Sequence, residues 1–407
     1  MFTHSNQFEP LFPAKSGELE DLAREVVAAS ARLEGRLAPV VLEDIRELLR
    51  VVNSYYSNLI EGHSTHPVDI ERAMRRDYSA DREKRDLQIE SRIHIEVQRK
   101  IAEKLKANKN ENVTDEDFLR WIHREFYEKM PERLRWAKGE KNEKAWVEAG
   151  ALRERYVIVG RHVPPSAESL PDFLKRFDEF YNPLKMRGLR PIVALSAAHH
   201  RLMWIHPFLD GNGRVARLFT DAYFERINLS GYGLWNVSRG LARRRDEYRN
   251  YLSAADAERE NDLDGRGNLS DRTLTGFCRF FLEICLDQAE FMNSILSLNN
   301  FLERLEQYVV LRNSGLIVGN SGEKLSTLHR QVGKVLTTLA VRGEIPRGEV
   351  FQIIEMSERT GRTILKNLLD EGLLFSRSEK GAVRLGFPAH AAGYWFPDLF
   401  PTATQRL

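Results

Sequence analysis

Residues 206–217 read HPFLDGNGRVAR, the stretch that most constrains the fold and chemistry of this chain. Gly211, Asn212 and Gly213 place small or turn-forming residues directly before a segment with helical spacing. Glycine lets backbone N–H groups converge on an anion, and a helix N-terminus adds about half a positive charge. The stretch therefore predicts a phosphate-binding loop that opens a helix.

The polar side chains around this loop suit phosphate chemistry. Arg214 and Arg217 lie one helical turn apart and can hold phosphate oxygens. Asp210 is unsuited to phosphate alone but suits a Mg²⁺ ion that bridges phosphates. His206 can accept a proton from an attacking hydroxyl, and Phe208 is expected to anchor the loop in the core. No GKS or GKT follows the glycines, so the loop is not an ordinary P-loop.

The composition predicts two or three domains, because 407 residues exceed one ordinary core. A hydrophobic content of 42% and a charged content of 29% are typical of soluble globular proteins. The net charge of +2 argues against a chain that coats nucleic acid or membrane throughout. No apolar run is long enough to span a bilayer, and the first residues lack the pattern of a secretory signal.

The two cysteines predict a reducing compartment. Cys278 and Cys285 lie seven residues apart on one helical face, which places them about 10 Å apart. That separation is too large for a disulfide, and two thiols without nearby histidines make a poor zinc site. We expect both to be buried, and we expect the protein to be cytoplasmic, without a membrane partner.

Most of the chain has the spacing of amphipathic helices. Apolar residues recur every three or four positions in residues 19–33, 42–52, 118–130, 170–180 and 192–202. The charge-rich segment 81–92 predicts a solvated helix face. Residues 151–165, ALRERYVIVGRHVPP, differ, because a β-branched run is interrupted by Gly160 and ends at two prolines. They predict a short hairpin or edge strand on a helical body.

The loop resembles the signature of the Fic family (filamentation induced by cAMP), HxFx(D/E)GNGRxxR, and fills each of its fixed positions. Fic proteins are mostly helical enzymes that use ATP and Mg²⁺ to transfer AMP to Ser, Thr or Tyr hydroxyls of proteins. The resemblance implies that His206 is the general base and that Asp210 is the metal ligand. It also implies that residues 211–213 form the anion hole, that Arg214 holds the nucleotide phosphates and that Arg217 orients the γ-phosphate.

Two further segments agree with the resemblance. The flap of Fic enzymes pins the target by strand addition, and it is matched by Val159, Gly160, Arg161 and His162. The adenine pocket of Fic proteins is matched in position by Tyr248, Arg249 and Asp256. Relatives often carry tyrosine where Arg249 stands and asparagine where Asp256 stands. The resemblance therefore implies phosphate binding more firmly than a preference for adenine.

Residues 57–62, SNLIEG, resemble the inhibitory motif (S/T)xxxE(G/N) of Fic proteins, here Ser57, Glu61 and Gly62. Since Arg217 needs an anion, a carboxylate can take the place of the γ-phosphate on it. Glu61 paired with Arg217 would exclude or misplace that phosphate. In some relatives the same glutamate assists the removal of AMP, so Glu61 is expected to be a brake, a reverse catalyst or both.

The expected fold is mainly α: a Fic helical core with a β-hairpin flap, plus a small C-terminal winged helix domain. The expected parts are an N-terminal helical region with the inhibitory motif (1–110), a Fic catalytic core (111–312), a glycine-rich linker (313–322) and a winged helix-turn-helix domain (323–395). In the last part, one helix is predicted from about Leu325 to Gly343. A second begins at Ser357, a good N-cap residue, and ends at Gly372, before a wing hairpin.

Two other functions stay open. The chain could be a transcriptional regulator with a Fic-like sensor domain, because basic residues share a face of the second helix: Arg359, Arg362 and Lys366. Nearby acidic residues dilute that charge, so DNA is a less expected partner than a protein or a second copy of the chain. A phosphotransferase that binds ATP in the reverse orientation is the other alternative. The sequence names neither the target protein nor the modified residue.

Overall fold

The computed structural model describes residues 2–138, 144–319 and 322–401, and within them the chain is mainly helical, as predicted. The helices before the loop are α1 (Gly17–Ala31), α2 (Pro39–Ile60), α3 (Pro67–Met74), α4 (Arg82–Ala107), α5 (Glu116–Tyr127), α6 (Leu170–Tyr181) and α7 (Arg190–Ile205). After it come α8 (Asn212–Arg226), α9 (Val237–Arg243), α10 (Arg245–Ala255), α11 (Asp271–Ile295) and α12 (Leu298–Asn313). No described helix is long and apolar enough to cross a membrane.

Helix α8 occupies the centre of the helical body. It packs against α7, α4, α5 and α2, and all but one of its residues from Asn212 to Phe224 are buried. Helix α7, which enters the loop, is almost as deeply buried. The loop between them is therefore held at both ends by helices that cannot move without disturbing the core.

Helix α2 brings the predicted inhibitory motif to this core. It starts at Pro39, whose missing N–H is tolerated in a first turn, and it ends in a Schellman motif. The N–H of His63 donates to the carbonyl of Asn58 (2.9 Å), and the N–H of Gly62 donates to that of Leu59 (3.0 Å). Gly62 has a φ of +85°, which glycine adopts without strain. This ending fixes Glu61 at the C-cap.

The predicted hairpin at 151–165 is much smaller than expected. It consists of one antiparallel pair, Val159 with His162, around a turn that contains Gly160 at a φ of +62°. A two-stranded sheet lies earlier instead, formed by β1 (Trp136–Lys138) and β2 (Lys144–Trp146). Trp136 faces Trp146 across it, with ring centroids 5.2 Å apart. Cross-strand aromatic pairing explains this hairpin, which the sequence analysis missed.

The C-terminal part contains α13 (Val332–Arg342), β3 (Glu344–Ile345), α14 (Arg347–Ile354), α15 (Glu358–Glu371), β4 (Leu374–Phe375), β5 (Val383–Leu385) and α16 (Ala389–Trp395). Its strands form an antiparallel sheet in the order β3-β5-β4. The first of these helices begins at Val332, so the predicted start near Leu325 was wrong. Asn313 explains the difference, because its side chain binds both the N–H and the carbonyl of Leu328 at 2.7 and 2.9 Å.

The predicted linker, residues 313–322, is folded where it is described. Residues 320 and 321 lie outside the described residues, while Ile317 is buried and Val318 pairs with Lys324. Helix α12, which precedes this segment, packs on α13 and α16. The C-terminal part also contacts the helices on both sides of the inhibitory motif. Arg377 pairs with Glu43 of α2 at 2.8 Å, and the Ala389 N–H donates to Glu71 of α3 at 2.8 Å.

Candidate functional site

The loop from His206 to Gly211 is closed by Asn212. Its Oδ1 accepts from the Phe208 N–H at 2.9 Å, and its Nδ2 donates to the Phe208 carbonyl at 2.8 Å. Two residues of the loop have left-handed backbone, His206 at a φ of +49° and Gly211 at +81°. The first N–H groups of α8 have no partner within the helix, so they point into the space that the loop encloses. The Asn212 side chain shapes the loop, and its backbone N–H stays available to an anion.

Three stacked rings pack on the buried side of the loop: Phe208, His123 and Tyr127. Phe208 is fully buried, as predicted, and lies parallel to His123, with centroids 4.1 Å apart. His123 also stacks on Tyr127 at 4.5 Å. Its Nδ1 accepts from the Gly150 N–H at 2.8 Å, so its Nε2 carries the proton that it donates to the Asp210 carbonyl at 3.2 Å. Burial lowers the pKa of His123 to about 3, which keeps this ring neutral.

Gly211 is required by both conformation and space. A Cβ at this position would lie 2.5 Å from Cε2 of Tyr127. We expect Gly211→Ala to lower the free energy of unfolding by about 1–3 kcal/mol through backbone strain, and by more through the displaced ring. Gly315→Ala is the matched control, because Gly315 has a similar φ of +74° but no atom within 4 Å of its Cβ position. Equal losses in urea titrations of the two variants would contradict the steric account.

His206 has the environment of a neutral base. Its imidazole is half-buried, and its Nδ1 lies 3.4 Å from the carbonyl of Met203, to which it donates. Burial lowers the pKa of His206 to about 4, against the opposing effect of the Met203 carbonyl. Since the proton sits on Nδ1, Nε2 has a free lone pair, and no described residue hydrogen-bonds it. This arrangement permits proton abstraction.

Arg153 holds the backbone around His206, a role that the sequence analysis did not predict. It is 4% exposed, and its guanidinium donates to the carbonyls of His206 (2.8 Å) and Pro165 (2.6 Å). Its own N–H donates to the carbonyl of Pro207 at 2.9 Å. Burial lowers the pKa of Arg153 to about 10, so it remains a cation at the negative end of α7. It ties the start of the loop to the segment that carries the predicted flap.

Arg217 hydrogen-bonds two residues of the predicted inhibitory motif, Ser57 and Glu61. Arg217 is 1% exposed, and its Nη2 donates to Oε1 of Glu61 at 2.6 Å. Its Nε donates to the Ser57 hydroxyl at 2.9 Å, and Nη2 also donates to the Ser57 carbonyl at 3.0 Å. Partial burial acts to raise the pKa of Glu61, but Arg217 and Arg214 outweigh it and keep that pKa below its ordinary value. The carboxylate is therefore ionised at neutral pH.

Arg214 is engaged by a second carboxylate, that of Glu90 on α4. Glu90 is completely buried and forms an ion pair with Nη1 of Arg214. Its other oxygen lies 2.7 Å from Nδ1 of His63, and Tyr127 accepts from Nη2 of Arg214 at 3.1 Å. The hydrogen bond to Glu90 raises the pKa of His63, against the effect of burial. The predicted solvated face at residues 81–92 was thus wrong for Glu90, because Arg214 compensates its charge.

Asp210 lies at the open edge of the loop. One of its oxygens accepts from the Gly211 N–H at 2.6 Å and lies 3.9 Å from Nη2 of Arg214. Its side chain is 43% exposed. Among the described residues there is no cluster of three or more side chains that could hold a metal ion. A single exposed carboxylate fits Mg²⁺, which commonly takes one or two protein carboxylates together with substrate phosphates.

The predicted flap residues lie beside the loop, with different orientations. Val159 is 37% exposed and Arg161 is exposed, so both are accessible to a binding partner. The His162 imidazole points inward instead, where its Nε2 donates to the Trp204 carbonyl at 2.7 Å. The backbone of His162 is engaged as well, because its N–H and carbonyl each pair with Val159 at 3.0 Å.

The three residues predicted for the adenine pocket have separate surroundings. The Tyr248 hydroxyl is buried and lies 2.8 Å from Nε2 of His199. Asp256 lies 3.1 Å from Nε2 of His200. Arg249, in contrast, is exposed and donates to the last carbonyl of α2 at 3.3 Å. Two of the three polar groups are thus satisfied inside the protein, and their contact with adenine stays a prediction.

The segment from just before α5 to near the end of α8 is similar in sequence to a known protein family. Residues 113–224 match the model of the Fic/DOC family. This segment of the chain is therefore similar to a Fic/DOC domain. Proteins named protein adenylyltransferase Fic from Drosophila grimshawi and Drosophila willistoni are each 39% identical to this chain over 80 residues. That match covers 20% of this chain and only 17% and 16% of the two relatives.

The similarity of fold to solved structures extends beyond residues 113–224. A Fic family protein from Desulfovibrio desulfuricans G20 superposes with a TM-score of 0.52 at 16% identity, covering 92% of this chain and 98% of that chain. A Fic domain containing signaling protein from Bacteroides thetaiotaomicron VPI-5482 has a TM-score of 0.50 at 18% identity, covering 67% and 95%. At such identities the likeness concerns the fold alone.

Parts of the site lie outside the matched Fic/DOC domain. His206, Asp210 and both arginines fall within residues 113–224, whereas Glu61 and Glu90 precede them. The two carboxylates that occupy the arginines therefore come from the N-terminal helices α2 and α4. The matched segment 113–224 contains both arginines of the site, and the N-terminal region contains the two carboxylates that pair with them.

Proposed function

We propose that this chain transfers AMP from ATP to a serine, threonine or tyrosine hydroxyl of a protein, itself included. The contact between Glu61 and Arg217 carries the proposal. The guanidinium of Arg217, in the second turn of α8, is deeply buried, so it needs an anion. Here a carboxylate fills that position beside a neutral histidine and a loop of free N–H groups, an arrangement suited to a nucleotide phosphate.

The proposed reaction is a direct displacement at the α-phosphorus of ATP. The target hydroxyl oxygen attacks this atom while Nε2 of His206 takes its proton. The bond between the α-phosphorus and the oxygen that leads to the β-phosphate breaks, and pyrophosphate leaves. The first N–H groups of α8 and the Arg214 and Arg217 guanidiniums stabilise the charge on the phosphate oxygens. The exposed flap would align the target through the backbone groups beside the Val159–His162 pair, which that pair leaves free.

ATP must compete with carboxylates that the protein itself supplies. Glu61 holds Arg217 in place of a γ-phosphate, and Glu90 already compensates Arg214. Mg²⁺ would be held by Asp210 and the phosphates, and when bound it supplies positive charge that neutralises them.

Because the Glu61 side chain is one-third exposed and caps a helix end, displacing it disturbs less of the core than displacing Glu90 would. We therefore assign the brake to Glu61. Whether Glu61 also drives the removal of AMP stays open.

The state of His206 gives the proposed activity an unusual pH dependence. The neutral imidazole is the form that accepts a proton, and burial lowers the pKa of His206 to about 4. We expect initial rates of the Glu61→Gly variant at saturating ATP to stay level from pH 8 to pH 6. They should fall only as the pH approaches 4. A rate that halves near pH 6.5, the ordinary pKa of histidine, would contradict this assignment.

The group that is transferred distinguishes AMP transfer from phosphotransfer. The purified Glu61→Gly variant is incubated without other proteins, with Mg²⁺ and ATP labelled at the α-phosphate or, separately, at the γ-phosphate. We expect the protein to carry the α-label and not the γ-label, and we expect the labelled band to disappear with His206→Ala. Transfer of the γ-label alone would establish the phosphotransferase alternative. Absence of both labels would refute the enzyme proposal.

A second function is supported by the C-terminal part. We interpret residues 323–395 as a winged helix, with α15 as the helix that would face DNA. Arg359, Arg362 and Lys366 are exposed on α15, but Arg362 pairs with Glu358 at 2.5 Å. The contacts of this part with α2 and α3 favour a role in protein contact. A salt-sensitive gel shift by the full chain on random-sequence DNA would establish DNA binding. Dimerisation and a cytoplasmic location also remain predictions.

A further inference from the structure

A cavity of about 270 Å³ with both charged and apolar walls lies outside the candidate nucleotide site, between α2, α4 and α8. It is closed by the segment from Tyr232 to Asn236. Two carboxylates of α8 line it, Asp221 and Glu225, one and two turns beyond Arg217. The residues that form the nucleotide loop, the predicted flap and the inhibitory motif are not among its lining residues.

The cavity contains charges that the protein leaves without an ionic partner. Among the described residues, neither Asp221 nor Glu225 forms an ion pair, and the same holds for Arg46 on the facing helix α2. Burial raises the pKa of Asp221 to about 6 and that of Glu225 to about 7. Buried charges are normally paired, so these groups are suited to a ligand that carries its own charges.

Hydrogen bonds inside the protein hold Asp221 in one orientation. Asn53 is 3% exposed, and its Nδ2 donates to Asp221 at 2.7 Å and to Gln98 at 3.0 Å. The Tyr232 hydroxyl donates to the other oxygen of Asp221. Oδ1 of Asn53 has no partner among the described residues, but it is fully enclosed and does not reach the cavity. Each carboxylate oxygen has further lone pairs, so Asp221 and Glu225 together favour a cationic donor such as an ammonium group.

We propose that this cavity binds a small zwitterion of the α-amino acid class with an apolar side chain. The ammonium group would meet Asp221 and Glu225. The carboxylate would meet the guanidinium of Arg46 and the terminal N–H groups of Arg50, whose Nε already donates to Glu47 at 3.1 Å. The remaining wall is apolar and aromatic: Leu49, Ile101, Tyr232 and Trp235.

The size and charge of the cavity favour a small ligand that carries both charges. Its volume lies at the lower end of the range of ligand pockets, roughly 300–1,000 Å³, which favours an amino acid over a whole nucleotide. A lone divalent cation is disfavoured, because it would lie beside two guanidiniums as well as two carboxylates. An amino acid presents both charges at the short spacing that such a cavity provides. The proposal concerns a second site, and it does not depend on nucleotide transfer.

Calorimetric titration of the full chain, without ATP, tests this proposal. The probes are L-leucine, L-methionine and L-phenylalanine, with N-acetyl-L-leucine and L-leucinol as analogues that lack the ammonium and the carboxylate charge. We expect at least one amino acid to bind with a stoichiometry of one, and both analogues to bind at least tenfold more weakly. Binding by none of the three amino acids would overturn the proposal. So would equal binding of N-acetyl-L-leucine.

Two variants place the bound amino acid in the cavity. Glu225→Gln removes a half-buried charge that no described residue pairs with, so the fold should tolerate it. We expect about tenfold weaker binding, because a hydrogen bond to a charged group contributes about 1.5–3 kcal/mol. Glu247→Gln, at an exposed carboxylate outside the cavity, is the matched control and should leave affinity unchanged. Unchanged affinity in Glu225→Gln would place any binding elsewhere and overturn the assignment.

Discussion

Replacement of Glu61 by glycine should raise the rate of self-modification with ATP and Mg²⁺ by about 10- to 150-fold. The charged hydrogen bond from Arg217 to Glu61, 2.6 Å long, contributes about 1.5–3 kcal/mol to the resting arrangement. Its loss frees the guanidinium for a γ-phosphate. Glycine is tolerated here, because Glu61 is the C-cap of α2 and not an interior residue. Initial rates of label incorporation from α-labelled ATP measure the effect.

Two controls separate the release of Arg217 from a general loosening of the fold. Glu61→Gln keeps the shape of the side chain but removes its negative charge. Its rate should therefore lie between those of the wild type and the Glu61→Gly variant. Glu379→Gly makes the same substitution in an exposed turn and should leave the rate unchanged. A variant Glu61→Gly with the wild-type rate would show that the Glu61–Arg217 contact is not a brake.

Removal of the imidazole at His206 should lower the rate of the Glu61→Gly protein by about 10²- to 10⁴-fold, the usual contribution of a positioned general base. The backbone contacts of Arg153 hold the loop through carbonyl groups, which alanine retains. We therefore expect the Glu61→Gly/His206→Ala protein to bind ATP with an affinity within about threefold of the parent. Rates and ATP affinities are measured on the same preparations.

The matched control for His206 is a histidine outside the site. His4 is exposed near the N-terminus, and His4→Ala should change neither the rate nor ATP binding. Equal loss of rate and of ATP affinity in the His206 variant would mean that the side chain serves binding and not proton transfer. A rate that survives in that variant would remove His206 from the proposed mechanism.

The shape of the loop could be predicted from the sequence because neighbouring residues determine it. Twelve consecutive residues contain the turn, the helix start and the charged side chains, so their geometry follows from helix and turn rules. The contact of Arg217 with Glu61 joins residues 156 positions apart, and it was predicted from the family resemblance together with the need of Arg217 for an anion. Local spacing alone would have indicated only an N-capped turn at residues 57–62.

The rest of the site could not be predicted because it depends on tertiary packing. Glu90 lies in a charge-rich segment whose pattern is that of a solvated helix, and only the approach of Arg214 explains its burial. His123 and Arg153 bind backbone carbonyls and N–H groups, which leave no mark in the sequence. The same holds for the small flap and for the hairpin at Trp136, whose stability comes from cross-strand contacts.

The C-terminal part is positioned to influence the proposed brake. It pairs with Glu43 near the start of α2 and with Glu71 of α3, while Glu61 lies between these two positions in the chain. A partner that moved the C-terminal part would therefore act on the two helices that flank the inhibitory motif. Such coupling requires two arrangements of α2 relative to α8, which a bound partner would have to distinguish.

Intact-mass spectrometry tests the central claim most directly. The wild-type, Glu61→Gly and Glu61→Gly/His206→Ala proteins are incubated with ATP and Mg²⁺ and weighed. We expect the Glu61→Gly protein to gain the mass of one or more AMP groups, the double variant to gain none, and the wild type to gain far less than Glu61→Gly. A Glu61→Gly protein that keeps its original mass, or gains the mass of a bare phosphate, would contradict the account of His206–Arg217 as an AMP-transfer site that Glu61 restrains.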